Sequence, residues 1–273
     1  MQTQRYKLTI AYRGTHYHGW QQQHTSGDVV NAERLPTVQD KVRRALVSVV
    51  KHPVRLQGSS RTDAGVHSKG QVAHFETHML NIPPANLRRA ANSRVPQDVW
   101  IKTLEPVPDT FDAIKSTIEK RYQYLIHCSP ERPVFAEGLC WHEPNELDHA
   151  AMHAAAGHFV GEHDFTSFVR PGHGRADAVR TVFECRVSRR REHIVVGVRG
   201  NGFLWNQIRI MVGTLVEVGR GRRTPQDVAE ALAARDRRRA GPTAPPQGLY
   251  LQWIRTKTAE ATGEAVSGED DGE

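Results

Sequence analysis

One carboxylate in a glycine-punctuated segment is the strongest candidate for chemistry in this sequence. Asp63 follows Arg61 by two positions, within a stretch, residues 58–70, that contains three glycines. Glycine permits tight turns and close approach of the backbone to a ligand. Because an arginine is permanently charged, Arg61 can keep a nearby carboxylate ionised or bind a phosphate. The competing interpretation is an ordinary surface turn, in which Asp63 bonds its own backbone.

The same segment resembles a known active site. Gly-x-x-Arg-Thr-Asp-Ala-Gly-Val-His at 58–67 and Gly-Gln-Val-Ala-His-Phe at 70–75 are similar to the active-site segment of the TruA family of tRNA pseudouridine synthases. The resemblance implies that Asp63 is catalytic and that the enzyme is a homodimer. It also implies that the substrate is uridine at positions 38, 39 and 40 of the tRNA anticodon stem-loop. Asp63 then acts either as a nucleophile at C1′ of the ribose or as a base at C2′, and both routes stay open.

Two arginines are candidates to keep that carboxylate charged. Burial disfavours the ionised form of a carboxylate, so a nearby cation has to offset the desolvation. By the resemblance, Arg61 helps to displace the target base. Arg209 ends the run Phe203-Leu204-Trp205-Asn206-Gln207-Ile208-Arg209, which matches the family pattern Phe-Leu-x-x-x-x-Arg, and there the arginine pairs with the catalytic aspartate. The alternative is an arginine whose stem covers a partly buried helix.

Two further residues are implicated by the resemblance. Tyr122 lies in Lys120-Arg121-Tyr122-Gln123-Tyr124, which is similar to the family's Arg-Tyr-x-Tyr segment, whose first tyrosine lies against the base. An aromatic surface lowers the cost of holding a nucleotide out of its stack. Leu249 resembles a family residue that packs beneath the site. Both residues have a plain alternative, as core side chains of strands.

The implied isomerisation requires no cofactor, and the sequence offers no strong metal motif. It shows no phosphate-cradling loop and no zinc-type ligand set. His149 and His153 are spaced four apart on a predicted helix, but no third ligand is evident. Two rival functions remain from other classes: a non-catalytic RNA-binding protein, and a metal-dependent hydrolase built on the histidines.

The charge distribution favours a polyanionic partner. The chain of 273 residues has a formal net charge of +7. Residues 256–273 contain one lysine and six acidic residues, so the tail is strongly acidic and the remainder is more basic than the total. A strongly basic body is typical of proteins that bind nucleic acid, although merely solvated lysines and arginines give the same count. The basic run at 170–175 is a candidate phosphate contact, and the alternative is an ordinary solvated loop.

Composition also indicates a cytoplasmic protein. No apolar run approaches the roughly 20 residues needed to span a bilayer, and the first ten residues lack the apolar core of a secretory signal. The three cysteines, Cys128, Cys140 and Cys185, form an odd set without Cys-x-x-Cys spacing. We therefore expect reduced thiols in a cytoplasmic protein without a membrane segment.

The first half of the chain predicts an α/β unit that positions the Asp63 loop. Alternation predicts a strand at 7–12. Thr37 and Asp40 form a capping-box-like start for a helix with Val38, Val42, Ala45, Leu46 and Val49 on one face. A strand is expected through Val54 and Leu56, and another ending near Phe75. A second helix begins at Pro83-Pro84, and 99–101 is extended. Residues 22–36 resemble an inserted polar loop.

The second half predicts a similar order of elements. Strands are expected at 121–128, 182–187, 194–198 and 249–253, with the middle pair antiparallel around a turn near Arg191. Helices are expected from Asn145 to about Val160, after Phe203, and after Thr224-Pro225. The fold prediction is α/β (α+β), with two RRM-like α/β halves whose mixed, largely antiparallel sheets flank a central basic cleft. The predicted units are 1–110, with the Asp63 loop, 111–255, and a disordered acidic tail at 256–273.

Overall fold

A computed structural model describes residues 2–21, 36–170 and 177–257 of the chain. The strands are β1 (Gln4–Tyr12), β2 (Gln57–Gly58), β3 (His67–Thr77), β4 (Val99–Val107), β5 (Thr117–Cys128), β6 (Trp141–Glu143), β7 (Gly161–Asp164), β8 (Val179–Arg190), β9 (His193–Gly200) and β10 (Leu249–Thr256). The helices are α1 (Val38–Val50), α2 (Pro84–Asn92), α3 (His149–Gly157), α4 (Gln207–Gly219) and α5 (Gln226–Ala234).

Within the described ranges, all of these strands join one mixed sheet. The order along it is β4-β1-β3-β10-β5-β9-β8-β7, with β2 added beside β3 and β6 beside β5. Neighbouring strands are antiparallel, except that β10 runs parallel to β3 and β6 runs parallel to β5. The predicted α/β class with a mixed, largely antiparallel sheet is confirmed.

Strand β10 connects the two halves of the chain. It comes last in the sequence, yet it lies between β3 of the first half and β5 of the second. Tyr250 is opposite His67 on one side, and Leu251 is opposite Tyr122 on the other. Because His67 closes the Asp63 segment, this pairing brings that segment beside β5. The predicted division at residue 110 stays a prediction, since the sheet is continuous across it.

Two large hydrophobic clusters hold the helices on the sheet. Alternate residues of β1, including Leu8 and Ile10, are fully buried with Val42 and Leu46 of α1 and Leu87 of α2. This is the amphipathic pattern that the sequence predicts for each element. The other cluster combines β5, β8 and β9 with α3, α4 and α5. Helix α4 is apolar on nearly every side and is buried along most of its length, which fixes the direction of its first turn.

Several predicted elements are confirmed with longer bounds. Most of the expected strands are each contained in an observed one, namely β1, β3, β4, β5, β8, β9 and β10. Arg191 takes a left-handed conformation in the turn between β8 and β9. Thr37 caps α1 by accepting a hydrogen bond from the backbone of Asp40. On α1 the buried position is Val50 rather than Val49, which is only partly covered.

One predicted strand is absent, and one predicted helix is shorter than expected. Val54 and Leu56 are buried but lie in no strand, and β2 begins only at Gln57. The apolar side chains of this segment indicate that it is buried, not that it pairs with another strand. Pro53 also has no backbone N–H to donate to a neighbouring strand. The helix expected from Asn145 begins at His149, because Asp148 caps it by accepting from the backbone of Ala150 and Ala151.

Some predictions fall outside the described residues. These are the inserted loop over 22–35 and the basic run over 171–175. Residues 258–273 of the tail predicted to be disordered also lie outside the described residues. The first two residues of that tail are ordered by contacts, since Thr256 belongs to β10 and Lys257 donates its backbone N–H to the carbonyl of Ser116 at 2.8 Å. In the described part of the chain, no helix is both long and apolar enough to cross a membrane.

Candidate active site

The Asp63 segment is a loop fixed by its own turn and by the loop after β1. Its turn is closed by the backbone N–H of Val66, which donates to the carbonyl of Asp63 at 3.2 Å. Gly65 lies between them with φ of 79°, in the left-handed region that favours glycine. The N–H of Gly65 donates to the carbonyl of Tyr17, at 3.2 Å, so the loop after β1 supports the turn from one side.

A second glycine allows the loop after β1 to approach. Gly19 has φ of 85°, and a Cβ atom there would lie 2.3 Å from the carbonyl oxygen of Thr62. This contact needs the bare backbone of glycine. The next residue, Trp20, donates its N–H to that same carbonyl at 3.1 Å, and the Tyr12 hydroxyl lies 2.8 Å from the Thr62 hydroxyl. The backbone on the amino-terminal side of Asp63 is therefore fixed.

Arg209 reaches Asp63 from the other half of the chain. Its Nη1 atom donates to Oδ2 of Asp63 at 3.0 Å. The side chains of Asp63 and Arg209 are 24% and 15% exposed, so the ion pair is only partly screened by water. Arg209 is itself held, because Nε donates to the Ala244 carbonyl at 2.8 Å and Nη1 also donates to Oδ1 of Asn206 at 3.1 Å. Of the two arginines weighed as the partner, the structure pairs Arg209 with Asp63.

Arg61 takes a different position. Its side chain is exposed, and its Nε donates to Oε1 of Gln21. Among the described residues, no ion pair joins it to Asp63. Arg61 is thus placed at the rim of the site, with its charge open to a polyanion.

Tyr122 lies beneath the loop. Its ring is only 5% exposed and meets the ring of Phe203 edge-on, with centroids 5.5 Å apart. Its hydroxyl lies 2.9 Å from that of Ser60. Burial, and after it the nearby negative charge of Asp63, raise the pKa of Tyr122 to about 12, so the phenol is neutral at physiological pH. Asp63, Tyr122 and Arg209 therefore share one site.

Leu249 is a core residue at the start of β10. It is buried, pairs with Tyr124 across the ladder, and belongs to the hydrophobic cluster that includes Tyr122 and Val66. Its role beneath the site stays a prediction, and its side chain offers only apolar contact.

Sequence reasoning missed Trp205. This tryptophan donates its Nε1–H to Oδ1 of Asp63 at 3.1 Å, although it is 43% exposed. The guanidinium of Arg170 lies over its ring, 4.4 Å from the centroid. Trp205 precedes α4, so helical periodicity could not place it near Arg209. The one available signal was its position within the Phe203–Arg209 motif.

His153 and His67 each bond to the backbone of another element. His153 lies on α3, as predicted, and its Nδ1 accepts from the backbone of Val187 at 3.2 Å. His67 accepts at Nδ1 from the backbone of Gly14 at 3.0 Å, and its Nε2 lies 3.1 Å from the carbonyl of Gln247. Within the described ranges, no three His, Cys, Asp or Glu side chains are grouped so as to hold a metal ion.

The site is thus a partly shielded carboxylate bonded to a fixed guanidinium, in a loop whose Ser60 contacts the buried Tyr122, where the two halves of the sheet meet. Comparison with known proteins agrees with the resemblance found in the motifs. The sequence profile described as "tRNA pseudouridine synthase" matches residues 8–114 and 155–255. The chain belongs to the tRNA pseudouridine synthase family. It is an isomerase of that family, as predicted.

Several relatives align along nearly their whole length. "tRNA pseudouridine synthase A 2" of Clostridium perfringens is 40% identical over 248 residues, covering 91% of this chain and 98% of the relative. "tRNA pseudouridine synthase A" of Ruminiclostridium cellulolyticum is 41% identical over 249 residues, with coverages of 91% and 98%. The protein of the same name from Allorhizobium ampelinum is 43% identical over 251 residues, with coverages of 90% and 93%. A solved archaeal box H/ACA Nop10-Cbf5 complex matches with a TM-score of 0.33 and 11% identity, covering 93% of this chain and 50% of that one, which is too distant to guide interpretation.

Proposed function

We propose that the protein converts uridine to pseudouridine at positions 38, 39 and 40 of the tRNA anticodon stem-loop, with Asp63 as the catalytic group. The observation that carries the proposal is the arrangement of Asp63, which is held by Arg209 in a loop that also contacts the hydroxyl of Tyr122 through Ser60. The product is an isomer of the substrate, so the reaction consumes no oxidant and no phosphate.

Each named side chain has a part in this reaction. The carboxylate of Asp63 attacks C1′ of the ribose or removes a proton at C2′, and the bond from C1′ to uracil N1 breaks. The freed base turns and C5 joins C1′. This displaces the carboxylate from C1′ in the first route, and in the second it is accompanied by return of the proton to C2′. The proton then leaves C5 and N1 is protonated. Arg209 orients the carboxylate and balances its negative charge. Tyr122 and Leu249 provide the apolar floor under the base.

The rim of the site suits an RNA. Arg61 is exposed and lies two residues from Asp63, where it can take the space of the displaced base or hold its phosphate. A nucleotide must leave its stack before an enzyme can act on its sugar, and a cation at the rim offsets part of that cost. Loss of affinity with added salt is the expected signature, because phosphate contacts release counterions.

A homodimer in the cytoplasm completes the proposal. In a dimer, one subunit grips the body of the tRNA while the other holds the target uridine. The three cysteines are free and buried, which suits a reducing compartment. Sedimentation tests the dimer, and a monomer that modifies tRNA at full rate would remove it.

The direct test of the function is to map pseudouridine in unmodified tRNA before and after incubation with the purified protein alone. New pseudouridine confined to positions 38–40 is expected. Pseudouridine elsewhere would correct the substrate site, and none at any position would favour a non-catalytic RNA-binding protein. Full turnover in the presence of a chelator would dismiss the metal-dependent alternative.

A further inference from the structure

Both oxygens of the Asp63 carboxylate have a donor, and the two donors come from the same segment. Arg209 Nη1 donates to Oδ2 at 3.0 Å, and Trp205 Nε1 donates to Oδ1 at 3.1 Å. A carboxylate has about four acceptor positions, so roughly two stay free for a substrate. The terminal torsion of an aspartate is broad, and one donor alone would leave the carboxylate free to turn. Two donors on different oxygens fix its plane.

Trp205 is not positioned by burial. Trp205 is 43% exposed, so it lacks much of the apolar contact that normally fixes the position of a tryptophan side chain. Specific contacts hold it instead. The Arg170 guanidinium lies 4.4 Å from its ring centroid, and the Arg170 backbone N–H donates to the Trp205 carbonyl at 3.2 Å.

The backbone after Trp205 is equally constrained. Asn206 has φ of 62°, a conformation that side-chain-bearing residues rarely adopt. Its Oδ1 accepts from Nη1 of Arg209 at 3.1 Å. The left-handed residue therefore turns the chain between the two donors and ties one of them in place.

We propose that Trp205 is a positioning residue for the reaction, which orients the Asp63 carboxylate toward the ribose while Arg209 supplies the charge. The proposal rests on the proposed function, in which Asp63 is the reacting group. Arg170 stacks on the indole and holds it at the angle that presents Nε1–H. The indole N–H is the operative group, and the ring surface serves only as its support.

The test uses single-turnover pseudouridine formation at saturating tRNA, with tRNA affinity measured in parallel. Trp205→Phe keeps a ring for Arg170 but removes the donor. We expect its rate to fall about tenfold, the usual effect of one hydrogen bond to a partly exposed charged group, with affinity within about twofold. Trp205→His is the rescue variant, because imidazole Nε2–H takes the ring position of indole Nε1–H. It should recover to within about threefold of the wild-type rate.

Two further variants serve as a control and as a second test of the same contacts. Trp100→Phe is the matched control, since Trp100 is 54% exposed on β4, and its rate should equal wild type. Arg170→Met removes the cation from the indole face and should lower the rate by about threefold. It tests the same chain of contacts if Trp205→Phe does not fold.

Three outcomes would overturn the inference. They are a wild-type rate in Trp205→Phe, equal impairment of the phenylalanine and histidine variants, and loss of tRNA affinity with an unchanged rate, which would make Trp205 a stacking surface. Asp63→Asn is assayed alongside. If it forms no pseudouridine while Trp205→Phe is unimpaired, only the role of Trp205 fails, whereas turnover by Asp63→Asn would remove the proposed function of Asp63 itself.

Discussion

Asp63 and Arg209 are 146 residues apart in the chain, and their side chains meet with Oδ2 and Nη1 at 3.0 Å. Neither residue could form this contact within its own half of the sheet. The contact depends on β10, which pairs with β3 on one side and with β5 on the other. The last strand of the sequence thus completes the site that the first half begins.

Replacement of Arg209 tests how the carboxylate is kept reactive. Arg209→Lys retains the charge but loses the planar set of donors to Asp63, Asn206 and Ala244. We expect a fall of about 10- to 100-fold in single-turnover rate, since charged hydrogen bonds carry roughly this much. The measurement is pseudouridine formed per folded enzyme at saturating tRNA.

The matched control for this substitution lies at the other end of α4. Arg220 pairs with Glu217 at 2.8 Å and with the buried Glu143, remote from Asp63. Arg220→Lys should lower the melting temperature and leave the rate of the folded enzyme unchanged. Equal rates in the two lysine variants would show that the Arg209 contact does not serve the reaction.

Tyr122 is expected to act through its ring rather than its hydroxyl. The hydroxyl already bonds Ser60 at 2.9 Å, and burial with the charge of Asp63 raises the pKa of Tyr122 to about 12, so it cannot act as a base near neutral pH. Tyr122→Phe should keep the rate within about threefold and cost about 1 kcal/mol of stability. Tyr122→Leu should lower the rate at least about thirtyfold, because stacking on the base is lost.

Tyr124 supplies the control for the phenylalanine exchange. It lies on the same face of β5 and bonds the Pro245 carbonyl at 2.7 Å through its hydroxyl. Tyr124→Phe should lower stability by a similar amount without a change in rate. An inactive Tyr122→Phe beside an active Tyr124→Phe would show that the Tyr122 hydroxyl takes part in the chemistry.

His67 gives the Asp63 loop a dependence on pH. Burial lowers the pKa of His67 below its ordinary value of 6.5. Its Nδ1 accepts from Gly14, so the folded protein holds it neutral. Because the pKa of His67 is lower in the folded than in the unfolded protein, its contribution to stability is fully present above pH 6.5. That contribution is lost as the pH falls through the pKa of His67 in the folded protein. The free energy of unfolding should therefore decline on acidification below this pH.

The variant His67→Asn keeps an acceptor near the Nδ1 position and removes the titration. Urea unfolding at a series of pH values should show a smaller slope below pH 6.5 than in wild type, although not a flat one, because the pKa values of His74 and His193 are also lowered by burial. His16→Asn, on the exposed turn after β1, is the control for a surface change. The same slope in His67→Asn as in wild type would contradict this account of His67.

The sequence predicts the local elements well, for a physical reason. Residues such as Val38, Val42 and Leu46 recur at the helical spacing, and the alternation in β5 places Tyr122 and Tyr124 on one face. The spacing of the apolar residues is therefore enough to predict which side chains of these elements are buried. The Asp63 segment and the approach to Arg209 are also marked by contiguous motifs.

What the sequence could not show depends on contacts between distant residues. No local signal places β10 between β3 and β5, because strand pairing across the chain is decided by packing. The contacts of Trp205 with Asp63 and Arg170 also could not be predicted from local sequence, because Trp205 precedes its helix and Arg170 lies in a loop. The strand expected at Val54 and Leu56 was wrong because apolar residues signal burial with or without a ladder.

The most direct measurement compares Asp63→Asn with wild type in single-turnover pseudouridine formation at saturating tRNA, with tRNA affinity and melting temperature recorded for both. Asparagine has the shape of aspartate but cannot serve as the anionic nucleophile or base. The account predicts affinity within about threefold of wild type, a folded protein, and no pseudouridine. A variant that turns over within about tenfold of the wild-type rate would contradict it.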